Sequence, residues 1–304
     1  MIKKLGLIVL LSVAVFAMDY KLKPSKISDN VYMFTGHNEI VTQQNGGNIA
    51  NTYWLKTKNH WVVIDSGASY AYASQAHKIM KKIANLPIKM VIDTHMHDDH
   101  WMGNSYYKEL HIPIYATKLQ ANTFKVGDST RILHTLSKED AKGTKVVAID
   151  NIINKSTILN VDNIKLEVVL LDKPAHTKQD MFIYVPSEKV LFSGDLLFSQ
   201  RLTSIRDGSI EGSLASLDIM SKYDVKTWAN GHGKYTDLTA FNHMKSYLTD
   251  LKISALKAVE DEIELDEFVK TADMSKYKDM KLFNRLSKAN LDNAFREYEF
   301  FEEE

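Results

Sequence analysis

The chain predicts an α/β fold: sheets covered by helices, finished by a helical C-terminal extension. Three observations point there. Short apolar runs rich in β-branched and aromatic residues alternate with helical stretches through most of the sequence. The second half repeats the order of the first, strands then a helix then a strand. From Leu238 onward the strand pattern stops, and a heptad-like run covers 241–263. A length of 304 residues suits one large domain or two small ones. The division expected is a leader over 1–17, a main domain over 18–236 and a helical extension over 237–304 packed on it.

Lys3 and Lys4 give a positive start, and 5–17 is apolar apart from Gly6 and Ser12. Val15-Phe16-Ala17 offers a signal-peptidase site after Ala17. The run is short and poorly flanked for a membrane span, a retained anchor being the alternative. The mature chain is expected to start near Met18 and to be soluble, without stable membrane insertion, in the periplasm or secreted. Residues 31–34 read as a strand. Polar 36–51, with Gly46-Gly47, reads as a mobile hairpin or flap. Strands follow at 52–55 and 61–64, joined by a turn with Asn59 as its best turn former. Residues 71–86 read as an amphipathic helix with Ala76, Ile79, Met80 and Ile83 on one face, broken by Pro87. A buried strand at 90–92 delivers Asp93-Thr94. A short helix at 105–110 precedes a strand at 112–115, expected at a sheet edge because it contains Pro113. Residues 118–143 read as a polar helical insertion. Further strands are expected at 146–149, 164–171, 181–185, 190–192 and 225–229, with a helix at 214–222.

Lys plus Arg and Asp plus Glu both number 38, so the formal charge is zero. No basic field gathers nucleic acid, and the acidic end 302–304 is simply a solvated terminus. There is no cysteine, which excludes disulfides, thiolate ligands, a thiol nucleophile and lipoprotein processing.

Six consecutive residues carry most of the chemistry: His95-Met96-His97-Asp98-Asp99-His100. His95 and His97 are two apart and point the same way on an extended segment, while Asp99 and His100 follow on the turn. Packing explains such a cluster poorly, because each buried polar group needs a partner. Imidazole and carboxylate together suit zinc or a similar divalent metal. Three later segments each place one ligand-type side chain after an apolar strand: His176, Asp195 and His232. Glycines beside Asp195 and His232 permit sharp turns. Taken singly, each of the three reads more readily as a cap or surface residue.

In this order, His95-x-His97-x-Asp99-His100, His176, Asp195 and His232 resemble the metallo-β-lactamase-fold hydrolases, over about residues 31–236. The resemblance implies an αββα sandwich with the metals at one sheet edge. It implies that His95, His97 and His176 hold one zinc, that Asp99, His100 and His232 hold a second, and that Asp195 bridges them. Asp65 resembles a family carboxylate that orients a ligand imidazole or the histidine loop, a strand-end cap being the equal alternative. Asp180 fits a structural position of the family. Asp98 is expected not to be a ligand, and His37, His60, His77, His111, His134 and His243 read as ordinary histidines. A bridging carboxylate resembles glyoxalase II more than the lactamase branch that carries a thiolate there. Residues 46–51, the strand end 63–67 and the pattern Leu282-Phe283-Asn284 to Asn293-x-x-Arg296-x-x-Glu299 resemble exported zinc metallohydrolases associated with sulfur-oxidation and quinoprotein systems.

The chemistry expected is hydrolysis of an ester, thioester or amide by hydroxide that two metals make available at neutral pH, with Asp99 both ligating and orienting the nucleophile. β-Lactam turnover is a narrower version. An iron-dependent persulfide dioxygenase is the oxidative alternative, although it needs fewer ligands than stand here. A non-catalytic metal-binding module comes last, since no ligand is missing. Nitrogen-rich ligands favour zinc and still admit iron or manganese. The partner expected is a small-molecule substrate. Asn48, Asn51, Lys178 and Arg201 are candidate contacts to it. The helical tail either lines one wall of the cleft or serves packing or dimerisation through Leu248, Leu251, Leu256 and Val259.

Overall fold

Alternation along single strands sets the architecture, which we describe from a computed structural model for residues 18–234 and 236–300. The expected leader 1–17 and the end 302–304 lie outside the described residues. In the strand Trp61–Ile64, Val62 and Ile64 enter one apolar core while Trp61 and Val63 enter another. In the strand Met181–Val185, Met181, Ile183 and Val185 join the first of these cores, while Phe182 and Tyr184 face a third. Side chains two apart share a face, so strands buried on both faces lie in sheets stacked on each other and covered outside by helices.

The first sheet runs in sequence order: β1 (Pro24–Lys26), β2 (Val31–Phe34), β3 (Thr52–Lys56), β4 (Trp61–Ile64), β5 (Ile88–Ile92), β6 (Ile114–Thr117) and β7 (Asn151–Ile153). The second contains β8 (Thr157–Val161), β9 (Ile164–Leu170), β10 (Met181–Val185), β11 (Val190–Phe198) and β12 (Thr227–His232), in the order β12-β11-β10-β9-β8. The helices are α1 (Tyr70–Ile83), α2 (Asp98–Trp101), α3 (Asn104–Glu109), α4 (Lys118–Thr123), α5 (Arg131–Thr135), α6 (Ile210–Met220), α7 (Leu238–Glu260), α8 (Leu265–Thr271) and α9 (Phe283–Glu299). Helices α1 and α3 cover the first sheet, and α6, α7 and α9 cover the second, which makes four layers, αββα. Ser69 caps α1 by accepting from Tyr72 N, and Asp237 caps α7 by accepting from Thr239 N. The parallel pairs β4–β5 and β11–β12 bring their four carboxyl-terminal strand ends together at one rim. Truncating Trp54 or Trp61, both fully buried, to Ala would remove about 3–5 kcal/mol.

Several expectations change. Pro113 ends just before β6, which pairs on both sides with β5 and β7 and is therefore interior. Residues 146–149 form no strand: Val146 drops into a small core with Trp101 and Ile132, and pairing resumes at β7. Asp195 lies inside β11, which continues past Phe192 through register shifts. On α1 the inward face is Tyr72, Ala73, Ala76 and Met80, and Ile83 is exposed. The expected insertion 118–143 contains only the short helices α4 and α5. The inner half of the expected flap, residues 45–51, is buried against the rim. Leu248 and Leu251 are buried in the outer core of the second sheet, and Leu256 and Val259 pack against it.

Tyrosine burial gives this fold an alkaline limit. Burial pushes Tyr20 up to about 12 and Tyr53, Tyr72 and Tyr247 higher still. Each folded value lies above its unfolded one, so the stabilisation is complete below about pH 10 and is lost as pH rises through the folded values. For Tyr20 alone the shift amounts to about 2–3 kcal/mol. The urea midpoint is expected to hold to pH 9.5 and fall steeply by pH 11.5; an unchanged midpoint at pH 11.5 would contradict this.

Candidate metal centre

Asp65 organises the approach to the centre. It closes β4 in the left-handed region (φ 57°), and its amide donates to Ile92 O at 2.9 Å. Its Oδ1 accepts from Thr94 N at 2.8 Å, and its Oδ2 accepts from Thr94 Oγ1 at 3.0 Å and from His100 Nδ1 at 2.7 Å. One buried carboxylate thus ties the ends of β4 and β5 and turns the His100 ring so that Nε2 faces inward. His95, His97, Asp99 and His100 follow β5 on the short helix α2 and its lead-in. His176 sits in the β9–β10 loop, Asp195 in the irregular half of β11, and His232 at the end of β12.

The seven side chains meet. One ligand atom each from His95, His97, His176 and Asp195 lie within 4.8 Å of one another, and so do those of Asp99, His100 and His232. Asp195 stands between the groups. Its Oδ2 is 3.2 Å from His176 Nε2, 3.7 Å from His95 Nε2 and 3.2 Å from His232 Nε2, while its Oδ1 is 3.1 Å from His100 Nε2. Asp99 Oδ2 lies 3.5 Å from His232 Nε2.

The remaining ring nitrogens are held from outside. His232 Nδ1 donates to Ile49 O at 2.7 Å. That nitrogen therefore carries the proton, and the Arg201 guanidinium 3.2 Å away packs beside it without bonding it. His97 Nε2 donates to Asp207 Oδ2 at 3.0 Å, leaving Nδ1 to face His176 Nε2 at 3.0 Å. His95 Nδ1 lies 3.1 Å from Thr94 Oγ1.

This arrangement fits a pair of divalent cations. His95 Nε2, His100 Nε2 and Asp195 Oδ1 are buried and have no hydrogen-bond partner, which is costly for polar atoms unless a cation takes their lone pairs. The donors are all nitrogen and oxygen, as zinc, iron and manganese accept. Electrostatics agree. Burial alone would raise Asp195, but His232, His100 and His176 hold it well below the usual carboxylate range. Against burial, Arg131 and then His100 hold Asp99 low. Burial, then His100, pushes His95 well down.

Two of the surrounding groups carried no sequence signal. Arg131, from α5, donates to Asp99 Oδ1 at 2.6 Å and to Asp98 Oδ1 at 2.7 Å. Asp98 also accepts from Ile132 N at 2.7 Å, which engages it away from the centre. Asp207 stands in a loop with no patterning, and the hydrogen bond from His97 holds it ionised. Asp180 accepts from Thr177 N and Oγ1, both at 2.8 Å, and shapes the turn after His176.

The centre floors a cleft of about 630 Å³, the size of a small-molecule site. Ile40, Val41, Phe124, Arg131, Arg201 and Arg206 line it, together with Leu282, Arg285 and Leu286 from the C-terminal helices. Of the four expected substrate contacts only Arg201 lines this cleft. Asn51 is fully buried and structural: its Nδ2 donates to Asn230 O at 3.0 Å and Gly233 O at 2.7 Å, and its Oδ1 accepts from Gly36 N at 3.1 Å. Asn48 is buried behind the rim and Lys178 is exposed outside it.

Replacing Asp65 with Ala frees the His100 ring and is expected to weaken zinc binding about 10–100-fold. Chelator competition measures this, and an unchanged affinity would remove Asp65 from the centre.

Comparison with known proteins agrees with the geometry. The profile described as Metallo-beta-lactamase superfamily matches residues 45–232. A "Metallo-beta-lactamase type 2" of Elizabethkingia meningoseptica is 27% identical over 237 residues, covering 76% of this chain and 86% of that protein. One of the same name from Pseudomonas aeruginosa is 23% identical over 210 residues, covering 66% and 74%. Among solved structures, a metallo-beta-lactamase from Pontibacter korlensis superposes with a TM-score of 0.59 at 22% identity, covering 75% of this chain and 99% of that one. Another, from Hirschia baltica, gives 0.58 at 18%, covering 75% and 97%. With the profile spanning most of the chain and all seven expected ligands gathered on one rim, this protein belongs to the metallo-beta-lactamase superfamily.

Proposed function

We propose that the protein is an exported binuclear zinc hydrolase that cleaves a small ester, thioester or amide. The observation that carries this reading is Asp195, one buried carboxylate whose oxygens reach both ligand groups. Two divalent cations bound there would lower the pKa of a water toward neutrality and polarise a substrate carbonyl. The protein's part is positional. Asp99 presents Oδ2 to the centre while Arg131 grips Oδ1, so this carboxylate stays ionised and can orient the attacking water. Arg201, at the cleft wall beside His232, offers charge to an anionic part of the substrate. Phe124, Ile40 and Val41 give the apolar side. No side-chain nucleophile is required, in keeping with a chain without cysteine.

No helix among the described residues is long and apolar enough to cross a membrane. Export rests on the leader expected at 1–17. The exported relatives associated with sulfur oxidation and quinoproteins remain the subgroup we favour.

Elemental analysis of protein from its native compartment should find about two zinc ions per chain, and chelation should abolish hydrolysis across an ester and thioester panel. Full activity at one metal per chain would reject the binuclear form. Iron in place of zinc, with oxygen uptake on a persulfide, would replace hydrolysis by the oxidative reading.

Activity is expected to fall below about pH 6, as protons compete with metal for the ligand imidazoles. A rate that stays flat down to about pH 4 would contradict this.

β-Lactam turnover is a second reading, favoured by the curated relatives called metallo-beta-lactamase type 2. Nitrocefin left intact by zinc-loaded protein would dismiss it.

A further inference from the structure

The segment between β11 and α6 is held by the C-terminal extension at three places. Backbone bonds join Leu202 N to Lys281 O at 3.0 Å and Lys281 N to Gln200 O at 2.9 Å. Asn290, buried on α9, donates to Thr203 O at 2.8 Å and to Tyr247 Oη at 2.7 Å, and accepts from Ile205 N at 3.4 Å. Glu297, two turns further along α9, accepts from Ser209 Oγ at 2.8 Å, Ile210 N at 2.9 Å and Glu211 N at 3.2 Å. A carboxylate from one helix thereby satisfies the otherwise orphaned first amides of another.

What these bonds hold in place lies directly against two of the candidate ligands. Asp207, between the Asn290 and Glu297 anchors, accepts from His97 Nε2 at 3.0 Å. Ser209 N donates to Ala175 O at 2.8 Å, next to His176. The start of α6 presses closely on the same loop: a Cβ on Gly208 would fall 1.8 Å from Ala175 O, and one on Gly212 1.6 Å from Pro174 O. A shift of α6 must therefore move His176 or collide with it.

We infer that α9 is a working part of the metal centre, with Asn290 and Glu297 as positioning residues that seat His97 through Asp207 and His176 through the start of α6. The helix lies beyond the stretch that matches the superfamily profile, so this support is particular to the extension. The inference goes beyond the hydrolase reading and needs only that the centre binds metal.

The test is zinc affinity of the full chain, by competition with a chromophoric chelator, in Glu297→Ala, Asp207→Ala and the double variant. Asp207→Ala should weaken binding about tenfold or more. Glu297→Ala should weaken it severalfold, and the double variant should lose less than the product of the two, because Glu297 anchors the segment that carries Asp207 and part of its effect passes through that residue. Visible absorption of the cobalt-loaded protein should also change in Glu297→Ala, a readout that lower stability alone does not move. Glu297→Gln, which keeps the shape and removes the charge, should give a smaller shift of the same kind and serves if the alanine variant does not fold. Unchanged affinity and spectrum in the folded Glu297 variants, or losses that simply multiply, would overturn the inference. Turnover is not read, so a protein that binds zinc normally and cleaves nothing would defeat the hydrolase reading without touching this one.

Discussion

A carboxylate buried among imidazoles is the constraint on which the molecule turns. Asp195 lies within 3.7 Å of four histidine nitrogens, and both it and those rings are buried, so solvent screens their charges poorly. Desolvation of this kind is tolerable only when opposite charge is fixed close by. The centre supplies nitrogen donors on every side of Asp195, and the layer behind them supplies Asp65, Thr94, Asp207 and the Ile49 carbonyl to fix the rings. Arg131 balances Asp98 and Asp99 from the cleft side. The candidate ligands are thus held by groups outside the set, which is what keeps a preorganised site from collapsing onto its own charges.

The two sheets make that geometry possible because each ends a parallel strand pair at the same rim. Strands β4 and β5 deliver Asp65 and the His95–His100 run, and β11 and β12 deliver Asp195 and His232. Asn51 pins the seam between them. Its amide bridges the start of β3 to Asn230 and Gly233 at the end of β12, so the polar residue nearest the flap has a cohesive role and no free face for a ligand.

The gathered set of seven side chains was legible because it is chemically odd where it stands. Each ligand interrupts an apolar strand pattern, and glycine accompanies Asp195 and His232. The strands with clear alternation, such as β4 and β10, were legible for the same local reason. What escaped notice was decided by distant partners. Asp207 reads as any loop aspartate until His97 arrives from across the chain, and Arg131 reads as an insertion residue until it meets Asp98 and Asp99. Residues 146–149 have strand composition but no neighbour to pair with, while β6 reads as an edge because of Pro113 and has a seventh strand beside it. Asn51 reads as an exposed contact because a polar residue near glycines suggests exposure, whereas three backbone carbonyl and amide groups need satisfying in the interior.

The scatter of these ligands along the chain has a bearing on how the protein assembles. His95 to His100 are local, but their companions arrive with β9–β10, β11 and β12, and α9 closes over the result last in sequence. Long-range closure of this sort is slow relative to helix formation, because chain entropy is lost before the distant contacts form. The complete donor set therefore comes into being only once both halves have docked, so a cation held by all of it would report that folding has finished.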